Sequence, residues 1–426
     1  MNNLKILLLA TLSLLTASGL EAGTPDTLIL EYCHRRAVEN YPIMKQKQLF
    51  AESTALKNEN SDKDYLPQFR IDGRASYQSD VTEVPVRLPG FSFPSPDKDV
   101  FDLQLGLNQL IWDGGITREL KNLESADLQI NQQQVEVELY KVKERVNGLF
   151  FKILLFQKSK EALLINKQTV EEKLRELASG IENGMILQMS ADVLEAQILQ
   201  IDQSIIEIDA ETRGTFRMLG ELLDLELPST TFLVLPEPEI ITRAFVNQRP
   251  EYLLLDLQKN KLELSKNLVT AGKMPKFSGF GKLGYGKPGL NMLSNEFDSY
   301  YMVGVGLSWD LFNWNRPENQ KKLLYLQQEI VETQKEALDL NVKIQVEDDL
   351  AAIEKFSNLI ANDESLIILR EKIATTASSQ LDNGMITSTQ YLEELNKATR
   401  AKLELETHRI QLSMSKINYL KTIGQL

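Results

Sequence analysis

The sequence predicts a mainly α-helical protein with a membrane β-barrel portion, and three features of the chain carry this prediction. Two long stretches, residues 97–227 and 318–426, have no proline and few glycines, which suits long uninterrupted helices. Four short segments alternate apolar and polar residues with the period of a β-strand. The order of these segments occurs twice, which predicts an internal duplication.

Charge and composition narrow the partners and the compartment. A net charge of -13, with Lys and Arg scattered along the chain, argues against nucleic acid as a partner, because nucleic-acid binding requires clustered positive charge. Residues 1–22 have a basic leader, a short apolar run and small residues, as in a cleaved secretory signal peptide. The single cysteine, Cys33, excludes an intramolecular disulfide framework and is expected to be buried in a helix.

Matching landmarks define the two repeats. Pro42 and Pro67 recur as Pro250 and Pro275 with the same spacing between them. The tetrapeptide Asn-Gly-Met-Ile that begins at Asn183 is repeated identically at Asn383. The chain therefore divides into a signal peptide (1–22), a first structural repeat (23–227), an inter-repeat linker (228–239) and a second structural repeat (240–426).

Each repeat is predicted to run helix, strand, strand, long helix, helix. The first repeat has helices near 28–63, 115–181 and 188–224 and strands near 68–78 and 100–112. The second has helices near 240–272, 317–381 and 388–422 and strands near 276–286 and 300–312. Apolar residues recur with a coiled-coil period along both long helices, more sparsely in the second.

The strands favour a membrane barrel over an ordinary half-buried antiparallel sheet, because they are about ten residues long with aromatic residues at their ends. The expected membrane-interface aromatics are Tyr77, Phe101, Tyr300 and Tyr301 in an upper band and Trp112, Trp309 and Phe312 in a lower one. The loops at 80–99 and 287–299 are expected to face the exterior. Four strands cannot close a barrel, and an open edge in lipid would leave backbone groups unpaired. Two copies would give eight strands, the minimum for a barrel. Three copies would give a trimeric 12-strand β-barrel on a 12-helix α-barrel, in which the number of strands matches the number of helices.

The duplicated order, with the strand-to-helix junctions Leu110-Ile-Trp-Asp-Gly-Gly115 and Leu311-Phe-Asn-Trp-Asn315, resembles the TolC family of outer-membrane efflux proteins. The resemblance covers almost the whole mature chain. It implies a homotrimeric, non-enzymatic, passive channel in the outer membrane of a Gram-negative cell, in contact with lipid and extending into the periplasm. It also implies docking by a periplasmic membrane-fusion adaptor and an inner-membrane transporter, in a tripartite efflux or type I secretion system. The sequence does not identify the transported cargo.

The hairpin tips are the predicted adaptor-docking surface. At each tip a glycine can take the positive φ of a helix end, and the next two residues are expected to be exposed in an apolar ring. The tip residues are Asn183, Gly184, Met185 and Ile186 in the first repeat and Asn383, Gly384, Met385 and Ile386 in the second. The alternative is a plain turn whose apolar residues pack on their own helices.

The gate is predicted from the resemblance, in the residues that follow the tips. The candidates for the gate or lumen constriction are Asp192, Gln390, Glu393 and Glu394. Gln390 stands where the family often has its first acid, which moves an acidic constriction toward Glu393. A ring of Glu393 or Glu394 side chains would favour cations and repel anions.

Other motifs do not predict chemistry. The glycines of Gly279-Phe-Gly-Lys-Leu-Gly284 match a dinucleotide fingerprint but lie in an alternating strand with no helix after it, and Pro288 stands where an overlapping Walker A motif needs Ser or Thr. With two histidines, His34 and His408, no catalytic triad or histidine zinc site is expected, and no cofactor or metal site is predicted. The alternative functions are a structural or adhesive coiled-coil surface protein with a membrane anchor and, less favoured, a secreted enzyme.

Overall fold

The computed structural model of the chain describes residues 27–82, 90, 95–183, 186–240, 248–292 and 294–426. The predicted signal peptide, residues 241–247 of the predicted helix at 240–272, and Gly184 and Met185 at the first tip lie outside the described residues. Much of the loop at 80–99 is outside them as well.

The described residues are mainly helical with a few strands, which confirms the predicted class. The helices are α1 (Leu30–Asn40), α2 (Lys45–Lys63), α3 (Ile116–Glu182), α4 (Gln188–Leu223), α5 (Pro250–Ala271), α6 (Arg316–Asp382) and α7 (Ser388–Thr422). The strands are β1 (Thr27–Leu28), β2 (Gln68–Tyr77), β3 (Asp99–Trp112), β4 (Phe232–Leu233), β5 (Lys276–Lys287) and β6 (Asp298–Ser308). The two long helices, α3 and α6, each have 67 residues.

Four elements differ from the sequence-based prediction. Residues 248–249 of the predicted helix at 240–272 are not helical, and α5 begins at Pro250, because the proline ring holds Arg249 in an extended conformation. The predicted helix at 28–63 is two helices separated by a 3-10 turn at Pro42–Met44, because the proline ring holds the preceding Tyr41 in an extended conformation. Strand β6 ends at Ser308, and the chain then turns into α6 through Trp314 and Asn315, both with positive φ. The parallel pair of β1 with β4 was not predicted, since two-residue strands show no alternation.

The chain forms two compact units that cut across the sequence repeats. One unit comprises the described residues up to Asn40 with Arg145–Pro238 and Lys355–Met414. The other comprises Tyr41–Glu144, Glu239–Glu354 and Ser415–Leu426. The first unit therefore contains both hairpin tips, and the second contains the four longer strands; we call them the tip unit and the sheet unit.

The sheet unit is built around a four-stranded antiparallel sheet in the order β2-β3-β5-β6. Within the described residues, the edge strands β2 and β6 each pair with a single neighbour. One face of the sheet is apolar and open to solvent; its exposed residues include Phe69, Ile71, Leu105, Leu283, Val303, Val305 and Leu307. Strand alternation places on the opposite face polar side chains, several glycines and the rings of Phe280 and Tyr300; we call it the polar face.

The predicted interface aromatics are distributed over both ends of the strands. Tyr77, Phe101 and Tyr301 are exposed on the apolar face, and Trp112 packs against Phe277 with ring centroids 5.9 Å apart. Trp309 and Phe312 are also exposed, although both follow the end of β6. The expectation for Tyr300 was wrong: strand alternation places its side chain on the polar face, opposite that of Tyr301.

A buried carboxylate fixes the junction between β3 and α3. Asp113 accepts hydrogen bonds from the backbone N–H of Gly115 (2.8 Å) and from the N–H and hydroxyl of Thr117 (both 2.6 Å). The Tyr65 hydroxyl donates a fourth bond at 2.9 Å. Burial raises the pKa of the Asp113 carboxyl, but these bonds outweigh burial and hold the pKa below its usual value. The charged Asp113 thereby satisfies the free N–H groups at the helix start.

Candidate functional site

The tip unit is held together near its tips by one apolar cluster drawn from α3, α4, α6 and α7. Its buried members are Val170, Leu177, Leu194, Ile201, Ala377, Leu381, Tyr391, Leu392 and Leu395. Leu174 and Ile181 from the predicted coiled-coil seam pack against them. Both hairpins thus share a core, so the position of each tip depends on the other hairpin.

The second tip ends α6 with a glycine in the left-handed conformation. Gly384 has φ +71°, and its N–H donates to the Leu381 carbonyl at 2.9 Å. The N–H of Met385 donates to the Gln380 carbonyl at 2.8 Å. This pair of bonds is a Schellman motif, which satisfies carbonyls that the helix end would leave free. Asn383 adds a side-chain bond to the Ser379 carbonyl at 2.7 Å.

A capping box starts α7 immediately after this turn. The side-chain oxygen of Gln390 accepts a bond from the Thr387 N–H at 2.9 Å, and the Gln390 N–H donates to the Thr387 hydroxyl oxygen at 3.3 Å. Thr387 and Gln390 occupy the positions at which these reciprocal bonds cap a helix. The predicted gate residue Gln390 is therefore engaged in capping its own helix.

The first tip begins α4 without such a cap. Its N-cap residue is Leu187, which has no side-chain capping bond, and Gln188 instead donates to the Asp192 carboxylate at 3.1 Å. Leu187 is 72% exposed and Met189 is 66% exposed. These two residues were missed in the sequence, although the run Met-Ile-Leu-Gln-Met is visible there.

The two tip isoleucines do not form part of the exposed ring that the sequence predicted. Ile186 and Ile386 are partly buried and pack against the shared cluster, so this part of the prediction was wrong. The Ile186 side chain lies over Gly180, where an added Cβ would come within 2.7 Å of Ile186 Cδ1. Met385, in contrast, is 71% exposed, as expected. The exposed apolar side chains at the tips are thus Leu187, Met189 and Met385 among the described residues.

A buried lysine joins the two hairpins. The ammonium of Lys173 on α3 donates to Asp382 at 2.6 Å and to Glu176 at 2.9 Å, and it lies 5.8 Å from the ring centroid of Tyr391. Its side chain is only 3% exposed. Burial lowers the pKa of Lys173, but the bonds to the two carboxylates outweigh burial and raise the pKa above its usual value. The lysine therefore stays charged next to the second tip.

The predicted gate carboxylates are partly neutralised by basic neighbours. Lys397 donates to Glu393 at 2.7 Å and to Glu394 at 2.9 Å, and Arg370 lies 3.5 Å from Glu394. The bond and charge of Lys397 hold the pKa of Glu393 below its usual value. The carboxylates of Glu393 and Glu394 thus lie beside the positive charges of Lys397 and Arg370. The net negative charge of this group is therefore smaller than the sequence suggested. Asp192 is placed on the other hairpin, paired with Gln188.

A groove of about 460 Å³ adjoins these carboxylates in the second hairpin. It is lined by Lys372, Ile373, Thr376, Ala377, Gln380, Ile386, Gln390, Glu393 and Glu394. Across the described residues, no three His, Cys, Asp or Glu side chains are grouped so that they could hold a metal ion. None of the helices in the described ranges is long and apolar enough to cross a membrane.

Comparison with solved structures identifies the fold. CusC, whose crystal structures concern folding and transmembrane channel formation, matches with a TM-score of 0.70 and 12% identity over 93% of this chain and 92% of its own. The outer membrane protein VceC from Vibrio cholerae matches with a TM-score of 0.66 and 13% identity, over 93% of this chain and 96% of its own. The Campylobacter jejuni CmeC outer membrane channel matches with a TM-score of 0.65 and 15% identity, over 93% and 85%.

At these identities the likeness shows the fold, which is that of outer membrane channels and confirms the fold implied by the resemblance to the TolC family. No family model matches the sequence, and no curated protein matches it.

Proposed function

We propose that this chain, folded like outer membrane channels, is one protomer of a homotrimeric channel in the outer membrane of a Gram-negative cell. It serves as the exit duct of a tripartite efflux or type I secretion system and extends into the periplasm. The duct is a passive conduit, and the energy for export comes from an inner-membrane transporter. Three copies of the four-stranded sheet form a 12-strand barrel, and the helices form a 12-helix tunnel.

The observation that carries this proposal is an apolar, solvent-open sheet face with two unfilled edges. In water such a face would favour aggregation, whereas in lipid it is the outer surface of a barrel. Strands alternate in direction across the sheet, so β6 of one copy would meet β2 of the next in antiparallel orientation. A ring of such contacts leaves no open edge in the membrane.

The first tip supports a docking role for apolar residues. Leu187 and Met189 are open to solvent at the start of α4, whereas Thr387 and Thr389 stand at the matching positions of the second hairpin. We expect the first hairpin to supply most of the apolar surface for the helices of a periplasmic adaptor, because flexible apolar side chains adapt to partner helices. Met385 adds to this surface from the second tip.

The gate is assigned to the level of Lys173, Asp382 and the Glu393–Lys397 group. The ion pair of Lys173 with Asp382 ties α3 to the end of α6, so opening the tips would require this bond to break or rearrange. Glu393, Glu394 and Asp192 remain the candidate carboxylates of a constriction. The charge that Glu393 and Glu394 contribute is set by the balance with Lys397 and Arg370.

Assembly and conductance test the proposal together. Detergent-purified protein should have three times the protomer mass by light scattering, and it should give discrete single-channel currents in planar lipid bilayers. A surface adhesin would give no such currents. A monodisperse monomer that keeps its full strand content and passes no current would contradict the proposal.

A further inference from the structure

Two glycines on the polar face of the sheet lie directly beneath aromatic rings. Gly284 on β5 is the cross-strand partner of Tyr300 on β6, and Phe280 on β5 is the partner of Gly304 on β6. A Cβ added at Gly284 would lie 2.2 Å from Tyr300 Cζ, and one added at Gly304 would lie 2.7 Å from Phe280 Cζ. Each ring therefore lies flat on the sheet and occupies the space that a side chain would take.

The Tyr300 ring is held across three strands. Starting on β6, it passes over Gly284 on β5, and its hydroxyl donates to Asp102 on β3 at 2.6 Å. Gly286 leaves room for the acceptor, since a Cβ there would lie 3.0 Å from Asp102 Oδ1 and 2.7 Å from the Phe101 carbonyl oxygen. Gly284 and Gly286 thus form a flat strip along which the tyrosine reaches its partner.

Both rings lie on the face that also carries Arg70, Asp72, Gln104 and Lys282, while the opposite face is the exposed apolar one. In the barrel of the proposed function, on which this inference rests, the apolar face meets lipid and the polar face lines the lumen. Cross-strand aromatic–glycine pairs stabilise sheets in general. On the lumen side they have a second consequence, because a ring that stands up from the wall narrows the channel.

We propose that Gly284 and Gly304 set the clear bore of the barrel by letting Tyr300 and Phe280 lie flat against the wall. Three copies bring six such rings to the lumen. The hydrogen bond to Asp102 holds the Tyr300 ring down. Of the glycines that match a nucleotide-binding motif, Gly284 thus has a role in the pore: with Gly304, it sets the size of solute that passes the barrel.

A lumen cysteine placed beyond both rings measures this bore independently of the tips. Ser308 is exposed on the polar face, at the far end of β6 from the loop at 287–299. With Ser308→Cys as reporter, maleimide-polyethylene glycols of graded size are added to intact cells and the largest one that labels is recorded. The native Cys33 is buried and should contribute little background.

Gly284→Ala and Gly304→Ala should both move the size limit to smaller polymers and slow the labelling by all sizes. Gly106→Ala is the matched control, since it adds the same methyl group to the same face, where the nearest atom is the Arg70 carbonyl oxygen at 3.7 Å. It should label as the parent does. Gly284→Ala combined with Tyr300→Ala removes the displaced ring and should restore the parent limit.

Equal labelling of the Gly284→Ala and Gly106→Ala variants would overturn the inference. Should Gly284→Ala fail to assemble, Tyr300→Phe replaces it: the ring freed from Asp102 should slow labelling, and unchanged labelling would overturn the inference. If the parent reporter is not labelled from outside by even the smallest reagent, the proposed channel fails instead.

Discussion

The two hairpin tips carry the same tetrapeptide but are built differently. In the second tip, Thr387 and Gln390 cap α7 reciprocally, so the turn satisfies its own backbone groups. In the first, Leu187 stands at the capping position; its side chain cannot accept a hydrogen bond and is exposed instead. The repeated motif ends the first helix of each hairpin, whereas the residues after it decide what the tip presents.

This difference suggests a division of work within the chain. Without a side-chain cap, the first tip has about 1 kcal/mol less helix stability, and it exposes an apolar surface instead. The second tip keeps its cap and lies beside the charged groups Lys173, Asp382 and Glu393. We therefore expect docking to depend mainly on the first hairpin and ion preference mainly on the second.

The largest effect is expected where the two hairpins share their core. Leu194 on α4 is fully buried in the cluster that also contains Leu392 of α7. Leu194→Ala should lower the free energy of unfolding by about 3 kcal/mol, through lost burial and the cavity left behind. Denaturant titration of the helical signal measures this. The exposed neighbour Glu195→Ala serves as control, and equal losses in the two variants would contradict a shared core.

Removing the buried charge between the hairpins should have the next largest effect. Lys173→Met keeps most of the side-chain volume but loses the bonds to Asp382 and Glu176, at a cost of about 1.5 kcal/mol at neutral pH. Because the folded pKa of Lys173 is raised above its ordinary value of 10.5, these bonds contribute fully below that pH. Their contribution is lost as the pH rises through the folded pKa.

Unfolding measured between pH 8 and pH 12 should therefore show an alkaline loss of stability that Lys173→Met lacks. Lys397→Met, which removes a solvent-exposed lysine from the same hairpin pair, is the control. An alkaline loss of the same size in wild type and Lys173→Met would show that Lys173 is not responsible for it.

Removing the helix cap of the second tip and adding one to the first tests the difference between the two tips directly. Thr387→Ala should destabilise the second hairpin by about 1 kcal/mol, and Leu187→Thr with Ser190→Gln should stabilise the first by a similar amount by supplying a capping box. Thermal unfolding measures both. In cells without another exit duct, the Leu187→Thr, Ser190→Gln variant should be more stable yet export less. Unimpaired export would remove Leu187 from the docking surface.

The smallest effect on stability is expected for Glu393→Gln, because both Glu393 and its partner Lys397 are exposed to solvent and such pairs contribute little. Its effect should appear in function: with Lys397 less neutralised, cation preference in planar bilayers should fall. Asp192→Asn on the first hairpin is the matched change. A larger loss of cation preference in Asp192→Asn would place the constriction charge on the first hairpin.

The long elements were predictable because their signals are local. The lack of proline predicted long uninterrupted helices, and the bounds predicted for α3 and α6 lie within one residue of those in the structure. Strand alternation predicted β3 and β5 equally well. The break at Pro42 could also have been read locally, since proline lacks the N–H that a continuous helix needs. The face of Tyr300 was mistaken because its aromatic character was weighed above its position in the alternation.

The features of the tips were predicted less well from the sequence than the long helices and strands. The capping box of Thr387 and Gln390 is a readable local motif, but Gln390 was assigned to the gate by comparison with a family pattern. The burial of Lys173 could not have been predicted, because it results from packing α3 against α6 and α7, which are more than two hundred residues away in the chain. The same holds for Ile186 and Ile386, whose burial depends on the cluster beneath them.

The most direct test of the proposed channel is a disulfide between β2 of one copy and β6 of the next. Ile71→Cys is combined in turn with Tyr301→Cys, Val303→Cys or Val305→Cys, all on the apolar face, and mild oxidation is followed by non-reducing electrophoresis. A closed trimer predicts that one of these registers gives a covalent band of three chains and nothing larger. Asp72→Cys with Val303→Cys, whose side chains point to opposite faces, should give no such band. A product that stops at two chains, or a ladder that continues beyond three, would contradict the twelve-strand barrel.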